Sequence, residues 1–176
     1  MSEQKNIILI GFMGCGKTTC GKWIANNKPF EFIDTDEYIV EKEQRSINEI
    51  FESEGESYFR KLETTTLQEL LASKDFRPKV FSVGGGLPIT EENRPLLKQL
   101  GYIVYLRTSI DELVNRLNHD TQRPLLAGGT LREKIVSLME KRKDIYEQIA
   151  DKIVDTDGKD MEYIYEKITG DKWTEY

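Results

Sequence analysis

The segment IILIGFMGCGKTT, residues 7–19, constrains this chain more than any other because it joins an apolar run directly to a glycine-rich turn. It contains the pattern G-x-x-x-x-G-K-T, whose fixed positions are Gly11, Gly16, Lys17 and Thr18. In this pattern backbone N–H groups turn inward around phosphate oxygens, and the lysine reaches the terminal phosphates of a nucleotide. The pattern needs a strand before it and a helix after it, and the flanking residues favour both. The segment therefore predicts a nucleoside triphosphate site at the end of a first strand.

Short apolar runs alternate with longer amphipathic segments along all 176 residues. This alternation predicts one α/β domain in three layers, with a parallel sheet covered by helices on both faces. The ligands of such sheets gather at the carboxyl ends of the strands. The S/T-x-x-E pattern predicts helices that begin after Ser46, Ser109 and Thr130. The predicted strands are residues 6–10, 30–33, 80–83, 103–106 and 153–154.

The composition excludes several classes of protein. A hydrophobic content of 38% and a charged content of 32% are typical of an ordinary globular domain. The apolar run near the N-terminus is far too short to span a bilayer. A net charge of −6 argues against a nucleic-acid surface, so a few local cations must hold any anionic ligand. The two cysteines, Cys15 and Cys20, predict a reduced, cytoplasmic protein rather than a disulfide scaffold.

Two aspartates follow the second predicted strand in the sequence FEFIDTDEY. Asp34 ends the apolar run, and an aspartate in this position beside a phosphate-binding loop commonly holds Mg²⁺ through water. Asp36 lies two residues further, where a carboxylate can accept or orient the proton of an acceptor hydroxyl. Either residue could instead cap the helix expected to begin near Glu37. The spacing favours the metal role for Asp34 and leaves capping and catalysis open for Asp36.

Two loops predict where an acceptor would bind and what would cover it. The run FSVGGGLP places Gly84, Gly85 and Gly86 after an apolar strand, where bare backbone lets a second molecule approach closely. The polar loop NHDTQRPLLAGGT, residues 118–130, lies between two predicted helices and carries Arg123. An arginine on such a loop can close over the charge that develops during phosphoryl transfer, and closure excludes water.

Six segments taken in order resemble the shikimate kinases over essentially the whole chain: GFMGCGKTT, DTD, GESYFR, GGG, RPLL and R-x-x-x-Y-x-x-x-A-D. The resemblance implies the fold of the nucleoside monophosphate kinases, a five-stranded parallel sheet in the order 2-3-1-4-5. It also implies a substrate-binding region at about 34–60 and a short lid at about 118–130 within one domain, residues 1–176. The implied reaction is phosphorylation of the 3-hydroxyl of shikimate by ATP with Mg²⁺, in the route to chorismate and the aromatic amino acids. The implied enzyme is a monomer that binds these small molecules and neither nucleic acid nor membrane.

The resemblance further implies a role for each matching residue. Shikimate would be bound by Asp36, Arg60, Gly85 and Arg142, with the two arginines on its carboxylate and the glycine backbone against its ring. Mg²⁺ would be ligated by Thr18, with Asp34 helping through water. Asp36 would orient or deprotonate the attacked hydroxyl, while Lys17 and Arg123 would stabilise the transferring phosphoryl group. ATP would be bound by Gly14, Cys15, Gly16, Lys17, Thr18, Thr19, Arg123 on the lid and Arg116 against the adenine.

Three other functions share part of this pattern. A gluconate kinase would keep the phosphate-binding loop but should lack D-T-D, F-R and G-G-G together. A nucleoside monophosphate kinase would devote more arginines and a longer segment to its acceptor phosphate. A kinase-like binding module without turnover would typically lose an acceptor-site charge, whereas Asp36, Arg60 and Arg142 are all present. The pattern therefore favours an enzyme.

Overall fold

The structure, a computed structural model, describes residues 5–118 and 129–170. It contains one parallel sheet whose strands are ordered β2-β3-β1-β4-β5, as predicted. Each strand ends within one residue of its predicted bounds, because short apolar runs between helical segments mark buried strands clearly. The strands are β1 (Ile7–Ile10), β2 (Glu31–Asp34), β3 (Lys79–Ser82), β4 (Tyr102–Arg107) and β5 (Lys152–Asp155).

Helices cover both faces of the sheet. A short 3₁₀ turn, Leu87–Ile89, follows β3. None of the described helices combines the length and the apolar character that crossing a membrane requires. The helices are α1 (Lys17–Asn27), α2 (Thr35–Glu43), α3 (Ile47–Glu54), α4 (Glu56–Ala72), α5 (Asn93–Leu100), α6 (Ile110–Leu117), α7 (Leu131–Ile149) and α8 (Met161–Thr169).

The three predicted helix starts are confirmed, although they are capped in two ways. Ser46 forms a full capping box, in which its side chain and that of Glu49 each accept a backbone N–H of the other. Ser109 and Thr130 accept the backbone N–H three residues ahead. The side chain of Glu112 bonds Arg116 one turn further along, at 2.7 Å. Local hydrogen bonds therefore fix where these helices begin.

The core forms two layers, one on each side of the central strand. All four residues of β1 are fully buried. Ile7 and Leu9 face the layer that includes side chains of α1, α6, α7 and α8, while Ile8 and Ile10 face the layer that includes α4 and α5. A strand buried on both faces has no polar alternation, which explains the continuous apolar run. This rigid centre holds the loops at the carboxyl ends of the strands.

Candidate functional site

A cavity of about 380 Å³ opens at the carboxyl ends of β1, β2 and β3. It lies where the strand order reverses, which is where open α/β sheets bind their ligands. The described residues that line it are Gly14, Gly16, Lys17, Thr18, Thr19, Asp34, Asp36, Ser82, Val83, Gly84, Gly85, Arg116 and Met161.

The loop between β1 and α1 has the backbone shape of a phosphate cradle. Gly11, Gly14 and Gly16 have φ angles of 149°, 80° and 98°, in a region that side chains disfavour. The described side chains supply no N-cap to α1, and its first turn contains no acidic residue. The free N–H groups and the helix dipole therefore favour an anion at this end of α1.

Lys17 already closes this loop from within. Its ammonium group donates to the carbonyl oxygens of Gly11 at 2.8 Å and Phe12 at 3.1 Å. The side chain is 9% exposed, so it is held in place by the loop rather than extended into solvent. A buried ammonium at the base of the cradle supplies positive charge where the terminal phosphates of a nucleotide would lie.

Thr18 and Asp34 form the pair predicted to hold a metal. The Thr18 hydroxyl donates to Oδ2 of Asp34 at 2.8 Å and lies 3.3 Å from the Ser82 hydroxyl. All three groups offer hard oxygen atoms beside the phosphate loop. The described residues contain no cluster of three or more acidic, histidine or cysteine ligands. This donor set fits Mg²⁺, which in kinases takes few protein oxygens and completes its shell with phosphates and water.

The helix-capping alternative is correct for Asp34 and wrong for Asp36. Oδ1 of Asp34 accepts the backbone N–H groups of Asp36 at 2.9 Å and Glu37 at 3.2 Å, so Asp34 caps α2 while its other oxygen meets Thr18. The helix begins at Thr35 rather than near Glu37, which places Asp36 in its first turn. Asp36 does not serve as the cap; it is half-buried and lines the cavity together with Asp34.

The three glycines after β3 are required by crowding, not by unusual backbone angles, since none has a positive φ. A Cβ on Gly84 would lie 3.0 Å from carboxyl oxygens of both Asp36 and Glu63. A Cβ on Gly86 would lie 2.5 Å from both terminal nitrogens of Arg60. The absence of side chains at Gly84 and Gly86 therefore leaves room for the charged side chains of the site.

Gly85 is packed differently from its two neighbours. A Cβ there would lie 3.3 Å from the carbonyl oxygen of Gly11 and 3.4 Å from Nη1 of Arg142. Its own carbonyl oxygen accepts the hydroxyl of Tyr146. Burial raises the pKa of the Tyr146 phenol, so this hydroxyl stays protonated and donates. Gly85 thus joins the phosphate loop to α7 at the back of the cavity.

Arg60 is held by two carboxylates on its own helix. It pairs with Glu63 at 2.7 Å and with Glu56 at 3.2 Å, and one fifth of its side chain is exposed. Glu63 is fully buried. Burial raises the pKa of the Glu63 carboxyl to about 7; Arg60 opposes this shift, and nearby Asp36 adds to it. The guanidinium is thereby fixed against Gly86, next to the glycines that line the cavity, although Arg60 itself is not among the described residues that line it.

Arg142 is a buried cation facing the same glycine run. It is 6% exposed, and its guanidinium carbon lies 5.8 Å from the centre of the Phe12 ring. Among the described residues, its buried Nη1 atom has no hydrogen-bond acceptor. An unpaired buried guanidinium N–H is costly, and a ligand carboxylate would satisfy it.

Arg116 lies at the other end of the cavity. Its guanidinium donates to the carbonyl oxygen of Gly14 at 3.2 Å and to Glu112 at 2.7 Å. Met161, the first residue of α8, lines the cavity with it. An arginine plane and a thioether are both suited to a flat aromatic ligand. This end of the cavity is therefore suited to the base of a nucleotide.

The remaining predicted residues divide into two groups. Thr19 lines the cavity, whereas Cys15 is a buried free thiol within the loop. Arg123 and most of the predicted lid, residues 119–128, lie outside the described residues.

The sequence did not predict Glu63, Ser82, Val83 and Met161 as residues of the site. Glu63 follows Arg60 by three residues, but that spacing is common on solvated helix surfaces and gives no sign of burial. Ser82 ends β3 opposite Asp34, a pairing that only the sheet register reveals. Met161 reaches the cavity through the loop after β5, which is distant in sequence from the phosphate loop.

Comparisons with known proteins show which family the chain is similar to. The family model described as Shikimate kinase matches residues 13–171. The shikimate kinase of Francisella tularensis subsp. holarctica is 41% identical over 169 residues, covering 96% of this chain and 95% of that protein. The structure of shikimate kinase from Acinetobacter baumannii in complex with shikimate superimposes with a TM-score of 0.87 at 35% identity, covering 96% and 94% of the two chains.

A gluconokinase from Sinorhizobium meliloti 1021 also superimposes, with a TM-score of 0.58 over 96% of this chain and 91% of that one. At 17% identity, this likeness is evidence of a shared fold alone.

Proposed function

The chain belongs to the shikimate kinase family, and from this premise we propose that the cavity at the carboxyl ends of its strands transfers the terminal phosphoryl group of ATP to shikimate. The chain is an enzyme of ATP-dependent shikimate phosphorylation, which yields shikimate 3-phosphate and ADP in the route to chorismate and the aromatic amino acids. The proposed residue roles rest on one observation. The phosphate loop and the side chains of Asp36, Arg60 and Arg142 all lie against the same glycine run, residues 84–86.

The nucleotide side of the cavity binds and orients ATP. Lys17 and the free N–H groups at the start of α1 hold the phosphates, and Gly14, Cys15, Gly16 and Thr19 shape the loop around them. Arg116 lies against the adenine. Arg123 reaches the transferring phosphate from the lid, a role supported by its R-P-L-L motif.

Mg²⁺ would be held by Thr18 and by Asp34 through water, on the oxygen pair that already meets at 2.8 Å. When bound, the ion neutralises charge on the phosphates. Capping of α2 by Oδ1 of Asp34 keeps Oδ2 directed at Thr18, so the pair is oriented before any ligand arrives.

The acceptor side of the cavity binds shikimate through its carboxylate and accepts or orients the proton of the attacked hydroxyl. Arg60 and Arg142 grip the carboxylate, since a guanidinium fork matches a carboxylate in plane and charge. The backbone of Gly85 lies against the ring. Asp36 accepts the proton of the attacked hydroxyl or orients it, and its place beside Gly84 keeps it next to the ring.

These roles place acceptor binding in residues 34–60 together with Arg142, and the lid in residues 118–130 of a single domain. We propose further that the enzyme is a monomer of the cytoplasm. Both cysteines are buried free thiols, which suits a reducing compartment. Sedimentation analysis of the purified chain measures its oligomeric state.

The decisive experiment is ADP release from Mg-ATP with shikimate, with gluconate, with a nucleoside monophosphate and with no acceptor. We expect fast release with shikimate alone. Release with gluconate or the monophosphate instead would keep the phosphate loop and overturn the roles of Asp36, Arg60, Gly85 and Arg142. Tight ATP binding without release for any acceptor would point to a non-catalytic module.

A further inference from the structure

The 3₁₀ turn after the glycine run is held by two side chains at the start of α5. Asn93 donates from Nδ2 to the carbonyl oxygen of Leu87 at 2.9 Å. Arg94 donates from Nε to Pro88 O and from Nη2 to Ile89 O, each at 3.1 Å. Three successive carbonyl groups of the turn are therefore bound by two adjacent residues.

Asn93 also binds the helix that carries Arg60. Its Oδ1 atom accepts the hydroxyl of Thr64 at 2.7 Å, one turn along α4 from Arg60. Asn93 is completely buried, so both of its hydrogen bonds are shielded from water. A buried amide bonded on both sides holds its two partners at one fixed separation.

The two partners of Asn93, Leu87 and Thr64, lie next to the two parts of the proposed carboxylate site, the glycine run and α4. Leu87 directly follows Gly86. The Gly86 backbone lies so close to the Arg60 guanidinium that a Cβ on Gly86 would lie 2.5 Å from both terminal nitrogens of Arg60. Thr64 lies on α4 with Arg60 and Glu63. A shift of α4 relative to the turn would therefore change the position of the guanidinium against the glycine run.

We propose that Asn93, with Thr64, is a positioning residue for the shikimate carboxylate site, acting by holding α4 against the 3₁₀ turn. This inference rests on the proposed function, because it assumes that Arg60 and Gly85 bind shikimate. Asn93 touches neither substrate in this role; it sets the distance between groups that do.

The test replaces Asn93 by leucine, which has the same branched shape and neither hydrogen bond. We expect the KM and the calorimetric Kd for shikimate to rise about tenfold. A change of this size corresponds to the loss of one to two buried hydrogen bonds. The KM for Mg-ATP should change by less than about twofold, because the phosphate loop has no bond to Asn93. Equal increases in both constants would overturn the proposal.

Asn6 provides a matched control at the amino ends of the strands, away from the cavity at their carboxyl ends. It also bridges two elements, donating to Leu100 O at 2.9 Å and accepting the Lys79 N–H at 2.9 Å. Asn6→Leu should lower thermal stability as Asn93→Leu does, yet leave the KM for shikimate unchanged. If both variants raise that KM equally, the effect is general loosening and the proposal is wrong.

Thr64 keeps the test informative if Asn93→Leu does not fold. Thr64→Val removes the hydroxyl that donates to Asn93 at 2.7 Å and also lies 3.2 Å from the Arg60 carbonyl oxygen. It should raise the shikimate KM about threefold, whereas Thr64→Ser should restore it to within about twofold of the wild type. A shikimate KM unchanged in Thr64→Val would overturn the proposal. A wild-type enzyme that shows no turnover with shikimate would instead overturn the proposed function.

Discussion

Asp36 and Glu63 are two carboxyl groups that converge on Gly84 in different surroundings. Asp36 is half-buried and faces the cavity, whereas Glu63 is fully buried behind Arg60. Burial raises the pKa of Glu63 to about 7, and the charge of Asp36 contributes to that rise. Two neighbouring carboxyl groups with different environments suit different tasks, one at the reacting hydroxyl and one in fixing a guanidinium.

Asp36→Asn tests the proton-transfer role. The amide keeps the size of the side chain but cannot accept a proton, so we expect kcat to fall by about 10²–10⁴-fold. The Kd for ATP should remain close to that of the wild type, since the phosphate loop is untouched. Single-turnover kinetics and nucleotide titration measure the two effects. Normal turnover would remove Asp36 from proton transfer.

Glu63→Gln tests the raised pKa through stability. A carboxyl whose pKa is higher in the folded state contributes stability below its unfolded pKa of about 4.5, and this is lost as pH rises through about 7. Wild-type unfolding free energy should therefore fall relative to that of Glu63→Gln by about 2 kcal/mol between pH 5 and pH 8. Urea unfolding at both pH values measures the difference. Parallel pH profiles would show that Glu63 titrates normally.

At the scale of elements, the site is assembled where side chains from α2 and α4 meet the loop after β3. Gly84 donates its N–H to the buried Thr35 hydroxyl at 3.3 Å, which ties the loop to the start of α2. A side chain at Gly84 would displace Asp36, and one at Gly86 would displace Arg60. The glycine run therefore acts as a spacer between the charged side chains of α2 and α4.

Gly86→Ala should move Arg60 rather than unfold the protein. The new methyl group would meet the terminal nitrogens of Arg60 at 2.5 Å, and a flexible side chain can swing away. We expect the KM for shikimate to rise about tenfold with little change in melting temperature.

Gly101→Ala is the matched control for this substitution. Its φ is an extended 171°, and its Cβ would meet the backbone oxygen of Asn6 at 2.5 Å, at the amino ends of the strands. It should lower the melting temperature and leave the KM for shikimate unchanged. The reverse pattern in the two variants would contradict the spacer role.

For the whole molecule, the proposed roles place the two substrates in opposite halves of one cavity, so each should stabilise the fold independently. At about 100 times its Kd, a ligand adds about 2.7 kcal/mol, or a rise of about 5–10 °C in melting temperature for a chain of this size. Lys17→Met should abolish the shift produced by ADP and keep that produced by shikimate. Arg60→Ala should do the opposite. Loss of both shifts in either variant would argue against two separate halves.

The sequence predicted this fold closely because its three central strands, β3, β1 and β4, are buried almost throughout. Continuous runs such as Ile7–Ile10 contain no polar residue, and the phosphate-loop pattern predicts the turn and helix after the first of them. The capping function of Asp34 could be anticipated from local spacing, since a cap bonds only its neighbours. These features depend on a few adjacent residues.

The burial of Glu63 and the crowding at Gly86 could not be predicted in the same way. Both arise where α4 packs against a loop more than twenty residues further along the chain. Local spacing is the same for an exposed ion pair and a buried one, so only tertiary packing distinguishes them. The sequence therefore predicts features set by neighbouring residues better than it predicts the packing that holds the charged side chains in place.

The ammonium group of Lys17 has three hydrogens, and each faces an acceptor within the loop. Two bond the carbonyl oxygens of Gly11 and Phe12, and the third faces the Cys15 sulfur at 3.7 Å, a weak acceptor. Under the proposed role of Lys17, a phosphate oxygen would replace the thiol, the weakest of the three acceptors. The two bonds to the carbonyl oxygens of Gly11 and Phe12 would then remain and continue to hold the loop.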